Sequence, residues 1–245
     1  MASLVPAPAP RLNLFGKFQF ACLLAWTAFS ISMAMLVRWV SGSPRRPLRM
    51  ASTLWSRGIL FGGGAKLQVE GAESIDWSRP YLVVSNHQSM VDICALFMAV
   101  PVPLRFVLKQ EMTCVPFVSS YARATGMLFI DRDNPRSAPL MLREAAGLLK
   151  AGHAVCIFPE GTRSRDGQFG EFKSGPFQAA IMAGAEVLPV ALTGADRVLP
   201  PTPWFRGYPG VITARFGAPI ASSGLDRQAL AQRAHDAVRA MLPGS

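Results

Sequence analysis

His87 and Asp92 have the most chemistry to offer in this sequence, and they share the stretch Ser85-Asn86-His87-Gln88-Ser89-Met90-Val91-Asp92. A histidine paired with a carboxylate is a base that can take a proton near neutral pH, with its tautomer set by the partner. In one regular helix Asp92 would stand about 140° round from His87, so pairing requires His87 on a turn and Asp92 in the first helical turn after it. The flanks fit this. Tyr81-Leu82-Val83-Val84 is a short apolar run that reads as a buried strand, and residues 90–99 are apolar over a helical length. His87 therefore falls at the carboxyl end of a strand, where open α/β sheets bind ligands. His153, in a Lys-Ala-Gly-His turn, and His235, in a polar helix, read as solvated.

A second cluster, Phe158-Pro159-Glu160-Gly161-Thr162-Arg163-Ser164-Arg165-Asp166-Gly167, follows the apolar run at 154–157. Guanidinium groups on a turn suit a phosphate, whose oxygens they grip bidentately, and Gly161 lets the backbone approach a ligand closely. Lys109, Arg132 and Lys173 stand at or just beyond other expected strand ends. Up to five bases thus converge on one mouth beside the His and Asp pair.

Stepwise alternation supplies the scaffold. After the strand at 81–84 the pattern predicts strands at 105–108, 127–130, 154–158, 187–192 and 211–216, with helices at 90–99, 136–150, 174–184 and 225–242. The implied class is α/β with a largely parallel central sheet flanked by helices. At 245 residues, half of them hydrophobic, the chain suits one catalytic domain, assigned to 65–245, preceded by an amino-terminal region over 1–64. The net charge is +10, yet eight of the 25 basic residues precede the first acid, Glu70, so the remainder carries 17 bases against 15 acids. A nucleic-acid-binding domain would cluster its bases on the folded part and carry a binding motif; neither is present. Cys22, Cys94, Cys114 and Cys156 lack metal-type spacing and read as small buried hydrophobes in a reducing compartment.

Residues 18–37 carry no charge, enough at about 1.5 Å per residue to cross a hydrocarbon core of about 30 Å. This reads as a membrane helix. It outruns the apolar core of a secretory signal, although Ser32-Met33-Ala34 resembles a cleavage site. Arg38, Arg45, Arg46, Arg49 and Arg57 follow it and only Arg11 and Lys17 precede it, which places the carboxyl side in the cytoplasm at the inner membrane. Residues 47–61 predict a basic amphipathic helix with Leu48, Ala51, Trp55 and Ile59 on its apolar face, expected to lie on anionic lipid, and Gly62-Gly63-Gly64 ends it.

Four segments in order carry a resemblance. They are Asn86-His87 with Asp92; Gly126-Met127-Leu128-Phe129-Ile130-Asp131-Arg132, preceded by Lys109; Phe-Pro-Glu-Gly-Thr-Arg-Ser at 158–164; and Val187-Leu188-Pro189-Val190-Ala191. Over about residues 80–195 the chain resembles the glycerophospholipid acyltransferase family, and within it the 1-acylglycerol-3-phosphate acyltransferases. The resemblance implies a glycerolipid acyltransferase-like domain that moves an acyl chain from an acyl thioester, acyl-ACP (acyl-carrier protein) or acyl-CoA, to the sn-2 hydroxyl of lysophosphatidate. It implies His87 as general base and Asp92 as its orienting partner. Asn86, Lys109, Arg132, Glu160, Gly161, Thr162 and Arg163 become the substrate-binding set, with the Gly161 N–H a candidate oxyanion donor. The acyl carrier is a co-substrate, and neither cofactor nor metal is required, because a thioester already has a good leaving group. Another lysolipid acceptor, such as lyso-ornithine lipid, and a thioester hydrolase are the alternatives, with a non-enzymatic membrane adaptor a third. Ser89, near His87, reads as a helix-turn residue rather than a nucleophile.

Overall fold

The computed structural model describes residues 14–131, 134, 136–164, 168–200 and 207–244. Its strands are β1 (Ala65–Glu70), β2 (Tyr81–Ser85), β3 (Leu104–Lys109), β4 (Leu128–Ile130), β5 (Ala154–Ile157), β6 (Glu186–Thr193) and β7 (Gly210–Phe216). The helices are α1 (Leu14–Ser41), α2 (Arg45–Met50), α3 (Arg57–Gly62), α4 (Asp92–Ala99), α5 (Val118–Thr125), α6 (Ser137–Lys150), α7 (Gln178–Ala183), α8 (Ala195–Val198) and α9 (Arg227–Met241). The described strands form one sheet in the order β1-β7-β6-β2-β5-β3-β4. All neighbours pair in parallel except β6 and β7, which are antiparallel.

Parallel strands at the centre of such a sheet are buried on both faces, so their residues read as unbroken apolar runs. β2 shows the consequence: Tyr81 and Val83 join one core cluster, Leu82 and Val84 the other. The first cluster packs the sheet against α2, α3, α4 and α8, and the second against α6, α7 and α9. β2, β3, β4, β5 and β6 all run the same way, so Asn86, Lys109, Asp131, Phe158 and Thr193 come out at one end of the sheet.

The stretch expected as one amphipathic helix over 47–61 is instead α2, a π-helical turn at Ala51–Ser56, and α3. A π turn adds residues per revolution and shifts the inward positions. Leu48 and Ala51 are buried as expected, but the next fully buried positions are Ser56 and Leu60, with Trp55 and Ile59 only partly covered. This apolar face docks on the catalytic core rather than on lipid, while Arg46, Arg49 and Arg57 stay exposed.

α1 is 28 residues long and apolar enough to cross a membrane. It nevertheless lies along the domain. Gln19 Nε2 donates to the Gly207 carbonyl, Trp26 Nε1 to that of Trp55, and Arg38 Nε to that of Ala124. Gly16, Ser30, Ile31 and Ala34 form its buried side, while Phe15, Phe18, Leu24, Leu36 and Trp39 project outward. Cys94 and Cys156 are buried, and burial pushes the Cys94 thiol up to about 12. Cys22 and Cys114 are exposed, against expectation: Cys22 sits on the outward side of α1 and Cys114 in a surface turn.

Candidate active site

The end of β2 is fixed from the side. Asn86 is buried, its Nδ2 donates to the Leu192 carbonyl on β6, and its Oδ1 accepts from Leu192 N–H, both at 2.8 Å. The side chain thus completes the sheet where β2 leaves it. Both ends of the Asn86 amide are engaged with the backbone of β6, a structural role for a residue expected to bind substrate.

His87 follows on the turn and Asp92 is the first residue of α4, the arrangement their spacing demands. Asp92 Oδ2 lies 2.8 Å from His87 Nδ1 and accepts the N–H groups of Gln88 and Ser89, each at 2.7 Å. An ionised carboxylate only accepts, so Nδ1 carries the proton and Nε2 presents a lone pair. The imidazole also stacks on the Phe158 ring, with centroids 3.9 Å apart and planes 12° apart. Ring plane and tautomer are therefore both set. Ser89 Oγ donates to the Leu199 carbonyl at 2.6 Å in full burial, which engages it as a structural hydroxyl.

The second cluster reaches the same point from β5. Glu160 Oε1 accepts His87 N–H at 2.7 Å and Oε2 accepts Gly170 N–H at 3.1 Å; burial pushes its carboxyl above the usual carboxylate range. A Cβ at Gly170 would meet Glu160 Oε2 at 3.0 Å, so glycine permits that approach. Each Glu160 carboxylate oxygen thus bonds a backbone N–H, where a contact with the arginines or the acceptor's glycerol was expected. Gly161 has φ +81 and its N–H donates to the Phe158 carbonyl at 3.0 Å. That commitment removes it as the oxyanion donor. A Cβ there would also lie 3.0 Å from Lys173 Nζ, so the turn brings Lys173 against it.

Ser164 N–H donates to the His87 carbonyl at 2.9 Å, which sets the intervening Thr162 and Arg163 beside the base. Arg163 is partly covered, and its Nη1 is buried without a partner among the described residues. Such a group calls for an acceptor. Lys109, half-exposed at the end of β3, pairs with Glu111 at 3.2 Å. It stands two strands from β2, a lateral distance of about 10 Å. Arg132 and Arg165 lie outside the described residues. The sequence marks Lys173 only as a base near an expected strand end; the glycine opposite it, Gly161, is the available signal for its place in the site.

A cavity of about 440 Å³ opens beside Gln88, lined also by Phe169, Thr193, Asp196, Arg197 and Arg239. It lies at the same sheet end as the base. It borders the His87 turn through Gln88, while His87 itself is not among its walls.

An open, mostly parallel sheet with a His-Asp pair and an arginine turn at its carboxyl edge defines an acyltransferase-type domain, and the acyltransferase family profile matches residues 66–193. The chain belongs to that family. It is 31% identical over 229 residues to the 1-acyl-sn-glycerol-3-phosphate acyltransferase of Pseudomonas aeruginosa, covering 91% of this chain and 86% of that one. The chloroplastic 1-acyl-sn-glycerol-3-phosphate acyltransferase of Arabidopsis thaliana is 31% identical over 205 residues, 79% of this chain, which spans only 56% of that protein's length. The crystal structure of the 1-acyl-sn-glycerophosphate acyltransferase from Thermotoga maritima superposes with a TM-score of 0.78 at 27% identity, covering 94% of both chains.

Proposed function

We propose that this chain transfers an acyl group from a thioester of acyl-carrier protein or coenzyme A to the free sn-2 hydroxyl of lysophosphatidate, forming phosphatidate. The observation that carries this reading is the junction of the two motifs, where the His87-Asp92 pair is hydrogen-bonded through His87 to the turn that bears Arg163. Relatives named for the same reaction support the choice of acceptor.

In this mechanism His87 Nε2 takes the proton of the sn-2 hydroxyl as its oxygen attacks the thioester carbonyl, and Asp92 stabilises the resulting imidazolium. The tetrahedral intermediate collapses with cleavage of the C–S bond, and the leaving thiolate takes the proton back from His87. The alcohol attacks directly, since Ser89 is engaged with Leu199. Arg163, with Lys109, Lys173 and Arg132, grips the acceptor phosphate. The N–H groups of Thr162 and Arg163, which bond to none of the described residues, take the oxyanion role in place of Gly161.

The outward face of α1 would sink into one leaflet, presenting the site to lipid from the cytoplasmic side. Contacts at both Gln19 and Arg38 hold about 28 Å of the helix against the domain, a placement that favours lying in a leaflet over crossing the bilayer. The purified protein given lysophosphatidate and a labelled acyl thioester is expected to yield phosphatidate. Free fatty acid as the sole labelled product would instead make it a thioesterase, and absence of turnover would refute both.

A further inference from the structure

We infer that the cavity at the amino-terminal ends of β2, β3 and β5 is a second anion site, built to take a phosphate group at the opposite end of the sheet from His87. It measures about 250 Å³ and is lined by Arg45, Arg79, Arg105 and His153, with Trp77 and Pro103 among its walls. Its walls come from four separate segments: the start of α2, the residues leading into β2, the start of β3, and the turn from α6 to β5.

Arg105 carries the argument. It is 4% exposed, and its Nε and Nη1 have no hydrogen-bond partner among the described residues. An uncompensated guanidinium in such a place is costly, by several kcal/mol in general terms, and arginines are almost never so buried without an anion. The carboxylates near the cavity do not answer it. Glu186 pairs with Arg79 at 2.9 Å, and Asp76 accepts the N–H and hydroxyl of Ser78. Among the described residues no carboxylate lies within ion-pair distance of Arg45 or Arg105.

Helix carboxyl ends gather at this side of the sheet, and each offers about half an elementary charge to a cation. A Cβ on Gly126, just past the end of α5, would lie 3.3 Å from Arg105 Nε, yet no carbonyl there accepts from it. Burial and the neighbouring Arg105 and Arg45 lower the affinity of His153 for a proton, as expected of a positive recess. A phosphate supplies several acceptor oxygens, which two guanidiniums can share bidentately. The volume is below the roughly 300–1,000 Å³ of pockets for drug-sized ligands, so it suits a phosphate headgroup rather than a nucleotide. Such a phosphate has two sources, an anionic lipid, since Arg45 follows the apolar α1, or a soluble ion.

The test follows thermal unfolding of the full-length protein in non-ionic detergent as inorganic phosphate rises, against chloride at equal ionic strength. An Arg163→Ala background weakens the grip at the other end of the sheet, and the response of Arg45→Ala within it reports the cavity alone. At a hundredfold excess over Kd, phosphate should raise Tm by about 5–10 °C. Adding Arg45→Ala, an exposed change, should raise the apparent Kd about tenfold or more, and Arg105→Met should abolish the response. Micelles doped with phosphatidylglycerol and with phosphatidylcholine separate the sources. A larger rise with the former than with inorganic phosphate assigns a lipid headgroup, and a rise with inorganic phosphate alone assigns a soluble anion. If neither inorganic phosphate nor phosphatidylglycerol has an effect in the Arg163→Ala protein, or if the effect is one that Arg45→Ala leaves unchanged, the site does not exist.

Discussion

Glu160 holds His87 by the backbone: its Oε1 accepts the His87 N–H at 2.7 Å across 73 residues of sequence. With Ser164 N–H on the His87 carbonyl, the third motif grips the peptide of the base on both sides. Glu160→Ala should therefore act as a positioning change, lowering kcat by about 10²-fold, as a misplacement near 1 Å does, with KM for lysophosphatidate little altered. A KM effect with kcat preserved would return Glu160 to the substrate. Stability offers an independent readout. Because burial raises the folded-state value above the ordinary 4.5, the unfolded chain releases this proton first, so stability falls as pH climbs from about 4.5 through the raised value. Urea unfolding of wild type should show that added downward slope relative to Glu160→Gln; parallel curves would mean the burial shift is absent.

Removal of the base is the plainest test of the mechanism. His87→Ala should nearly abolish transfer while far-ultraviolet circular dichroism stays close to wild type; Tm should fall somewhat, since the side chain is 15% exposed, stacks on Phe158 and pairs with the buried Asp92. Asp92→Asn should cut kcat by up to about 10⁴-fold by placing the wrong proton on Nδ1. It should also lower Tm, because Asp92 Oδ2 closes the turn at Gln88 and Ser89. Activity within threefold of wild type in either variant would remove that residue from the chemistry.

Asn86 separates architecture from binding. Replacing it with alanine strands the N–H and carbonyl of Leu192 in the core, each costing about 1–3 kcal/mol. The expected result is a clear loss of Tm, with the residual folded enzyme keeping its KM for acceptor. A selective rise in KM at unchanged Tm would show that the side chain meets substrate after all.

These positions also mark what the sequence could not tell. β2, β5 and β6 were legible because strands buried on both faces leave unbroken apolar runs, and α6 and α9 because their apolar residues recur at helical spacing. β1 lies outside the predicted strands although Lys66, Gln68 and Glu70 alternate with apolar residues in a strand's period; six residues at a sheet edge, paired with β7 far along the chain, leave only a short local signal. α5 was missed because its eight residues are largely polar and it is held from outside, by Tyr121 on the Pro47 carbonyl and Arg38 on that of Ala124. In the site, the spacing of His87 and Asp92 carried their geometry because both ends are local. The partners of Asn86 and Glu160 lie 106 and 73 residues away, and no local pattern reports them.

The outward side of α1 is expected to bind bilayers. Phe15, Phe18, Leu36 and Trp39 are all more than half exposed, whereas the inward contacts do not involve their side chains. Phe18→Asp with Leu36→Asp should move the protein out of the vesicle fraction in flotation while leaving its Tm in detergent unchanged. Flotation equal to wild type would place the membrane contact elsewhere.

The proposed recognition of the acceptor rests most heavily on Arg163. Its Nη1 is buried without a partner among the described residues, and Ser164, the next residue, is tied to the base, so a phosphate on Arg163 would be held at a fixed distance from His87. A charge-assisted hydrogen bond is worth about 1.5–3 kcal/mol, so Arg163→Ala should raise KM for lysophosphatidate by about ten- to a hundredfold. If the contact is equal in ground and transition states, kcat stays near wild type. Arg163→Lys should restore only part of the affinity, because it keeps the charge and loses the planar fork. The comparison that reads this out is Arg163→Ala on lysophosphatidate against a neutral monoacylglycerol, with the penalty expected on the phosphate-bearing acceptor. Equal losses on both would make Arg163 part of the scaffold that holds the His87 carbonyl, and would pass phosphate recognition to Lys109, Lys173 and Arg132.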